Sequence, residues 1–449
     1  MNQNDEAKPT PVAETPQQVG ETRDRWWWVE RTVWTERMLT RLASSEPADR
    51  VWFRLTDKTY APANLTSAFK KVMKNGGSAG VDRQTVEHFA RHAPEELSRL
   101  AEQMRQGTYR PQPVRRAWIA KLGSQEKRPL GIPAVRDRIV QGALRHVMEP
   151  IFEAEFAEHS YGFRPGRGAK DALRRVDGLL QAGYSWVVDA DLKSYFDTIP
   201  QDRLLALVKA RVADGGVLEL VKGFLSAGVM EENRDWKPSD RGTPQGGVIS
   251  PLLANVYLNP LDHQMEQKGQ EMVRYADDFV ILCRTQAEAM EALAGVRQWV
   301  EEAGLTLHPE KTRVVDATGP EGFDFLGYHF ERGMKWPRRR SLQKLKERVR
   351  EKTPRLDGRS LTAIVADVNR TLLGWYGYFQ HSKETTFAMV DGYVRRRLRS
   401  LLQKRRGRTS QGLGAAQQRW PNEWFAQRGL LSLKAAHERT RTTVAIRTH

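Results

Sequence analysis

The sequence predicts an α+β domain followed by an all-helical, basic domain, and three observations carry that expectation. Short β-like runs alternate with helical stretches from Val114 to Phe330. After Trp336-Pro337 the apolar residues recur at helical spacings, and the whole positive excess of the chain lies in that second part. Taken in order, residues 1 to about 20 are rich in Pro, Gln, Thr and Glu and read as a disordered tail. Arg25-Trp26-Trp27-Trp28, Trp34 and Trp52-Phe53 follow; these rings could stack on bases, but their helix-like spacing favours packing into a neighbouring domain. Asn64 to Gln112 is mostly helical and is interrupted by the flexible loop Lys74-Asn75-Gly76-Gly77-Ser78-Ala79-Gly80. Arg116–Lys121, Trp186–Leu192, Val273–Cys283 and Phe323–Phe330 read as strands, with helices between them. Leu342, Leu345 and Val349, then Leu361, Ile364, Val365, Val368 and Leu372, then Met389, Tyr393, Leu398 and Leu401 define three amphipathic helices with basic polar faces.

Composition bounds the function classes. At 449 residues and 39% hydrophobic content the chain can fill two or three ordinary cores. It has no run of about 18 apolar residues, and Met1 to Gly20 lacks an apolar segment, so a soluble, cytoplasmic protein without membrane association is expected. Its single cysteine, Cys283, excludes an intrachain disulfide and a zinc site built on paired cysteines; at the end of Phe279–Cys283 it reads as a core thiol. Residues 331–449 hold 28 Lys+Arg against 9 Asp+Glu, which leaves 44 against 46 in the first 330. A basic block of that density is either a solvated surface or the footprint of a nucleic-acid binder that releases phosphate counterions.

The chemistry lies in two acidic elements. Trp186-Val187-Val188-Asp189-Ala190-Asp191 is an apolar strand that delivers aspartates at its end. Unpaired charge beside hydrophobic surface is costly, so a cation is expected there. Val273 to Leu282 reads as two short apolar strands hinged on a turn of adjacent acids, Asp277 and Asp278. Strand alternation sends neighbouring side chains in different directions, so at least one can face a partner strand. If that partner ends at Asp191, carboxylates 86 positions apart converge. Hard cations with oxygen ligands, Mg²⁺ above all, reconcile such groups, and a pair of ions suits phosphoryl transfer. Taken alone, Asp277-Asp278 could equally be a polar turn; the two elements together favour a metal site.

Further blocks appear in order between about residues 60 and 330. They are Arg128-Pro129-Leu130-Gly131-Ile132-Pro133, Tyr161-Gly162-Phe163-Arg164-Pro165-Gly166-Arg167, and Asp191 through Phe196. Gly242-Thr243-Pro244-Gln245-Gly246-Gly247-Val248-Ile249-Ser250-Pro251, Tyr275-Ala276-Asp277-Asp278, Gly304 through Thr312, and Phe325-Leu326-Gly327-Tyr328 complete the set. This ordered set resembles the bacterial group II intron reverse transcriptase/maturase family. The resemblance implies a right-hand polymerase, with fingers and palm at 60–330 and an α-helical thumb/maturase domain at 331–410. A tail and Trp-rich segment (1–59) precede them, and a short extension (411–449) follows, to which a DNA-binding role is open through Arg419-Trp420-Pro421-Asn422-Glu423-Trp424-Phe425.

The same resemblance implies roles for single residues. Asp191 and Asp277 would be the catalytic metal ligands, with Asp278 assisting, for two Mg²⁺ ions that Mn²⁺ can replace. Asp189 and Asp197 would be hydrogen-bonding supports. Phe196 would lie under the incoming sugar and reject a 2′-hydroxyl, or else pack at the strand end. Gln245 would meet the nucleotide between a proline and two glycines, with Ser250-Pro251 as N-cap and N1 of a following helix. Lys121 and Arg128 would neutralise triphosphate charge. Lys311 would assist the leaving pyrophosphate or stand as a solvated lysine. Trp375, Tyr376, Arg395, Arg396 and Arg397 would line a groove for an RNA/DNA hybrid and for intron RNA.

The implied function is RNA-directed DNA synthesis joined to the splicing and mobility of a group II intron. Its partners would be intron RNA, an RNA template with a DNA primer, dNTPs and target DNA. Two other readings remain: a domesticated polymerase serving phage defence, and a splicing factor in which synthesis is incidental. Many relatives carry an HNH endonuclease supported by cysteine pairs, and this sequence has no cysteine after Cys283. The expectation is therefore priming on a nick or an exposed 3′ end.

Overall fold

A computed structural model describes residues 25–44, 51–120, 127–232, 235–356, 358–407 and 413–447. The expected N-terminal tail and Lys121 lie outside the described residues. The described chain divides into two compact units, one holding 25–175 and Val188–Val314, the other Val176–Val187 and the residues from Val315 onward.

The helices α1 (Glu36–Ser44), α2 (Thr56–Tyr60), α3 (Pro62–Asn75), α4 (Val86–Arg91) and α5 (Ala93–Arg105) precede strands β1 (Val114–Ala120) and β2 (Lys127–Ile132). Then come α6 (Val135–Glu153), α7 (Ala169–Gln181), β3 (Trp186–Asp191), α8 (Tyr195–Thr198), α9 (Gln201–Lys209), α10 (Gly215–Ser226), β4 (Val229–Met230) and β5 (Trp236–Lys237). They are followed by α11 (Ser250–Gln267), β6 (Glu271–Tyr275), β7 (Asp278–Cys283), α12 (Gln286–Glu302) and β8 (Arg313–Asp316). Strands β9 (Phe323–Phe325), β10 (Tyr328–Glu331) and β11 (Met334–Pro337) lead into α13 (Arg339–Lys352), α14 (Leu361–Phe379), α15 (Glu384–Arg405), α16 (Leu413–Arg419), α17 (Asn422–Ala426) and α18 (Leu433–Arg447).

Three sheets result, ordered β2-β1-β4-β5, β6-β7-β3-β8 and β11-β10-β9. In the second sheet Val187, Val188, Ala190 and Phe279 to Cys283 are buried, as expected of β-branched and aromatic strands packed under helices. Burial pushes the Cys283 thiol up to about 11, in keeping with a core thiol. Helix α6 is buried along almost its whole length and packs against α2 and α3, so its polar side chains need partners. His146 finds them in Asn64 Oδ1 at 2.7 Å and Lys71 Nζ at 2.7 Å.

Trp26, Trp34 and Trp52 are buried. Trp34 sits edge-on against Trp52, and its indole donates to the His146 carbonyl at 3.0 Å. Most of its described tryptophans therefore pack into the core, while Trp27, 51% exposed, and Phe53, 60% exposed, stand well out. The single strand expected over Phe323–Phe330 is two, β9 and β10, because Leu326 (φ 48°) and Gly327 (φ 86°) reverse the chain between them.

In the second unit the three expected amphipathic helices are α13, α14 and α15. Their apolar faces share one core, and Trp420, Phe425, Leu430 and Leu433 join it, so the extension after residue 411 packs onto the same helices. Asp391 ties α18 down by accepting from the Leu433 amide at 2.9 Å and the Ser432 hydroxyl at 2.7 Å.

Two of the residues expected to face RNA are drawn wholly or partly into this core. Tyr376 is 9% exposed within this core, and Trp375 packs against it, 5.0 Å from the Phe379 ring. Their helical position on α14 falls on the apolar stripe, where burying an aromatic ring is the larger gain. In the arginine run, Arg397 is spent on the Thr353 carbonyl at 2.7 Å and Arg395 lies 4.0 Å from Asp391, which leaves Arg396 exposed.

Candidate active site

Strand β3 delivers Asp189 and Asp191 on one side, two residues apart, while Val188 and Ala190 turn into the core. Beyond Asp191 the chain is stitched to the loop before β8. Its carbonyl accepts from the His308 amide at 2.7 Å, and the Lys193 amide donates to the Thr306 carbonyl at 2.8 Å. That loop brings Lys311 Nζ to 2.6 Å from Asp191 Oδ2. Arg313 lies 3.6 Å from Asp189, which fits Asp189 as a support.

Strands β6 and β7 form a hairpin in which Tyr275 pairs with Asp278. The two turn residues are thus Ala276 and Asp277, not the two aspartates, and Asp278 is the first residue of β7. Ala276 takes a left-handed backbone, φ 62°, as a tight two-residue turn requires. Burial pushes the Asp277 carboxyl up and the negative charge of Asp191 adds to the shift, while Arg128 and Arg274 oppose it. Asp191 and Asp277, distant in sequence, are electrostatic neighbours.

These two groups suit a divalent cation. The half-buried Asp277 carboxyl is destabilised by a second carboxylate, and the ammonium of Lys311 already lies on that second carboxylate. Among the described residues, no group of three carboxylate, imidazole or thiolate side chains stands arranged to hold a metal ion.

Phe196 lies in the single turn α8, entered through Ser194 with φ 50°. It is half-buried, edge-on to Tyr195 at 5.5 Å and to Phe163 at 6.3 Å. The loop Gly242–Gly247 is laid directly against it: the Thr243 amide donates to the Phe196 carbonyl at 2.7 Å, and the Gly131 amide to the Gln245 carbonyl at 2.6 Å. Gly246 has φ 111°, and a Cβ there would stand 2.3 Å from the Gly131 carbonyl oxygen, so only glycine fits.

Phe196, Asp197 and Gln245 line a cavity of ≈ 330 Å³ together with Trp118, Pro129 and Gly131. Gln245 Nε2 reaches Asp197 Oδ2 at 3.5 Å. Burial raises Asp197, against the pull of Arg116 and Arg128. Arg128 thus acts on Asp277 and Asp197 together, whereas Asp191, Asp277 and Lys311 do not line this cavity.

Ser250 begins α11 but does not cap it. Its hydroxyl turns back into the loop, donating to the Pro244 carbonyl at 2.8 Å and accepting from Thr243 at 2.8 Å. The cap position belongs to Ile249, and the loop gains the tie that the helix end forgoes. Two residues with no role assigned above also brace the site: Gln141 accepts from the Val248 amide at 2.7 Å, and Arg274 is fully buried beneath the hairpin. Arg274 carried a signal: a charged residue in the apolar run Met272–Tyr275 requires a buried partner.

A sheet whose strand end and adjacent hairpin bring two acids together, flanked by a glycine-bearing loop and an aromatic floor, defines the palm of a nucleic-acid polymerase. The family described as reverse transcriptase (RNA-dependent DNA polymerase) matches residues 119–330, and the group II intron maturase-specific domain matches residues 342–420. The Group II intron-encoded protein LtrA of Lactococcus lactis subsp. cremoris is 37% identical over 232 residues, 51% of this chain and 38% of LtrA. Protein YkfC of Escherichia coli (strain K12) is 33% identical over 338 residues, 66% of this chain and 87% of YkfC. Among solved structures, a chain of the "Partial Cas6-RT-Cas1--Cas2 complex" is 26% identical over 55% of this chain and 41% of its own, with a TM-score of 0.36, too slight a likeness to weigh. The chain belongs to the group II intron reverse transcriptase/maturase family. Its match spans little more than a third of the length of LtrA. Domains of this reverse transcriptase kind depend on divalent metal. No described helix is long and apolar enough to cross a membrane.

Proposed function

We propose that this chain is an RNA-directed DNA polymerase that works with a group II intron, and that its helical domain binds intron RNA to promote splicing and mobility. The observation that carries the reading is the electrostatic proximity of Asp191 to the half-buried Asp277 across adjacent elements of one sheet. Two such acids have little use in a protein that only binds RNA, because burial and mutual repulsion oppose folding.

Asp191 and Asp277, with Asp278 assisting, would hold two Mg²⁺ ions, replaceable by Mn²⁺, whose Lewis acidity favours in-line attack of a primer 3′-hydroxyl on the α-phosphate of a dNTP. The chain's own groups do the rest. Arg128, whose charge already acts on Asp277 and Asp197, and Lys121 neutralise the triphosphate. Lys311, within reach of Asp191, is the donor for the departing pyrophosphate. The Phe196 ring and Gln245, at the wall of one cavity, hold the sugar and screen out a 2′-hydroxyl.

The partners are an RNA template with a DNA primer, dNTPs, intron RNA and target DNA, met in the cytoplasm. Primer extension on poly(rA)/oligo(dT) with Mg²⁺ and dTTP tests the reading. Processive incorporation is expected, and a folded sample that incorporates no dTTP overturns it.

A further inference from the structure

The hairpin that presents Asp277 rests on a buried polar chain that no part of the proposed chemistry uses. Arg274, 0% exposed, is a guanidinium inside an apolar strand. Such a charge is tolerated only when every donor finds an acceptor. Its Nε donates to Asp262 Oδ1 at 2.7 Å, and its Nη2 donates to Asp262 Oδ2. Its Nη1 divides between Asn255 Oδ1 at 3.0 Å and the carbonyl of Ala276 at 2.9 Å.

The chain of contacts continues. Asn255, also buried, donates through Nδ2 to the Gly162 carbonyl at 2.8 Å. Gly162 lies so close under the turn that a Cβ there would stand 2.2 Å from the Ala276 amide nitrogen. On the backbone side, the Arg274 amide donates to the His159 carbonyl at 3.0 Å, and its carbonyl accepts from the Tyr161 amide at 2.8 Å.

The acceptor at Ala276 is the informative one. A carboxylate partner alone would serve to offset the cost of burying a guanidinium, but this one also reaches two residues along its own strand to the first turn residue. Ala276 is held there in a left-handed conformation that a residue with a Cβ adopts at a cost of about 1 kcal/mol or more. The next residue is Asp277, so the direction of its carboxylate follows from the Ala276 peptide. From this geometry we infer that Arg274 is a positioning residue: its fork, braced by Asp262 and Asn255, fixes the Ala276–Asp277 turn and thereby the aim of Asp277. Lysine cannot replace Arg274, because one ammonium on a flexible stem does not span Asp262, Asn255 and Ala276 together.

This inference rests on the polymerase reading, and the test separates the two. Full-length Arg274→Lys is compared with wild type in poly(rA)/oligo(dT) extension and by hydrogen exchange of metal-free protein. A second variant, Arg274→Met with Asp262→Leu, replaces the buried ion pair by apolar groups of like size and keeps the fold measurable if the lysine variant unfolds. In each folded variant kcat should fall by about 10- to 100-fold, the loss that a small misplacement of a reacting group produces. The KM for dTTP should stay within about twofold, since the nucleotide-facing residues are untouched. Amides of residues 272–280 should exchange faster, while those of the distant helix α3 keep their protection. A folded variant with wild-type kcat, or one in which hairpin exchange is unchanged, overturns the inference. If wild type itself makes no DNA, the polymerase reading fails, and the exchange experiment alone decides whether Arg274 fixes the turn.

Discussion

Asp277 sits in the turn, half-buried, with its carboxyl raised by that burial and by Asp191, whereas Asp278 is already a strand residue paired with Tyr275. Removing the side chain therefore removes a destabilised charge. Asp277→Ala should abolish extension, by roughly 10³-fold or more for loss of a metal ligand. Its melting temperature should not fall, and intron splicing should persist; lost splicing in a folded variant would show that the acid serves more than synthesis. Phe196 makes a second residue-scale prediction. Its ring stands at the cavity wall shared with Gln245, so Phe196→Ala should raise rNTP use relative to dNTP by about 10- to 100-fold, read as the ratio of kcat/KM values. An unchanged ratio would return Phe196 to simple packing against Tyr195 and Phe163. The acids were legible because two carboxylates in apolar strands need a reason. Which of them occupies the turn was not, because one residue of register decides it.

At the scale of elements, α6 shows how a buried helix makes stability depend on pH. His146 accepts from the Lys71 ammonium at Nε2 and donates from Nδ1 to Asn64, and burial, followed by the Lys71 charge, depresses it from 6.5 to about 4. The folded chain thus keeps this ring neutral where the unfolded chain would protonate it. Its contribution is complete above pH 6.5 and is lost as pH falls toward 4, up to about 3 kcal/mol over that window. Urea unfolding of wild type and His146→Gln at pH 7 and pH 5 should show the variant losing less stability on acidification. Equal losses would sink the assignment. Elements themselves were legible where periodicity was long, as in α14 and α15. The split of Phe323–Glu331 into β9 and β10 was not, since Leu326 adopts a positive φ that its residue type does not announce.

For the whole molecule, charge and chemistry are divided along the sequence: 28 Lys+Arg against 9 Asp+Glu after residue 330, near balance before it. Binding of intron RNA should weaken steeply with salt, because each neutralised phosphate releases counterion. The structure sorts the arginines that can contribute. Arg396 is exposed, while Arg397 is held by Thr353, so Arg396→Ser should make the slope of log affinity against log salt shallower by about 1. Arg397→Ser should instead lower stability by about 1 kcal/mol with little change in slope. Filter binding across a salt series reads the first and chemical denaturation the second. Equal slopes for wild type and Arg396→Ser would move the RNA contact to another face of the basic helices.

Sequence alone determined the class of fold, the two acidic elements and the basic character of the chain after residue 330. These are written in local pattern: strand alternation, helical spacing, glycine-bearing loops and net charge, none of which depends on distant residues. Tertiary structure alone decided which side chains are free to act. It buried Tyr376, Trp420 and Phe425 in a helical core, spent Arg397 on Thr353, seated Asp277 rather than Asp278 in the turn and placed Arg274 beneath it. Each of those outcomes turns on which partner a group meets from another element or on one residue of register, and a buried polar or aromatic group is committed by that partner rather than by its own chemistry.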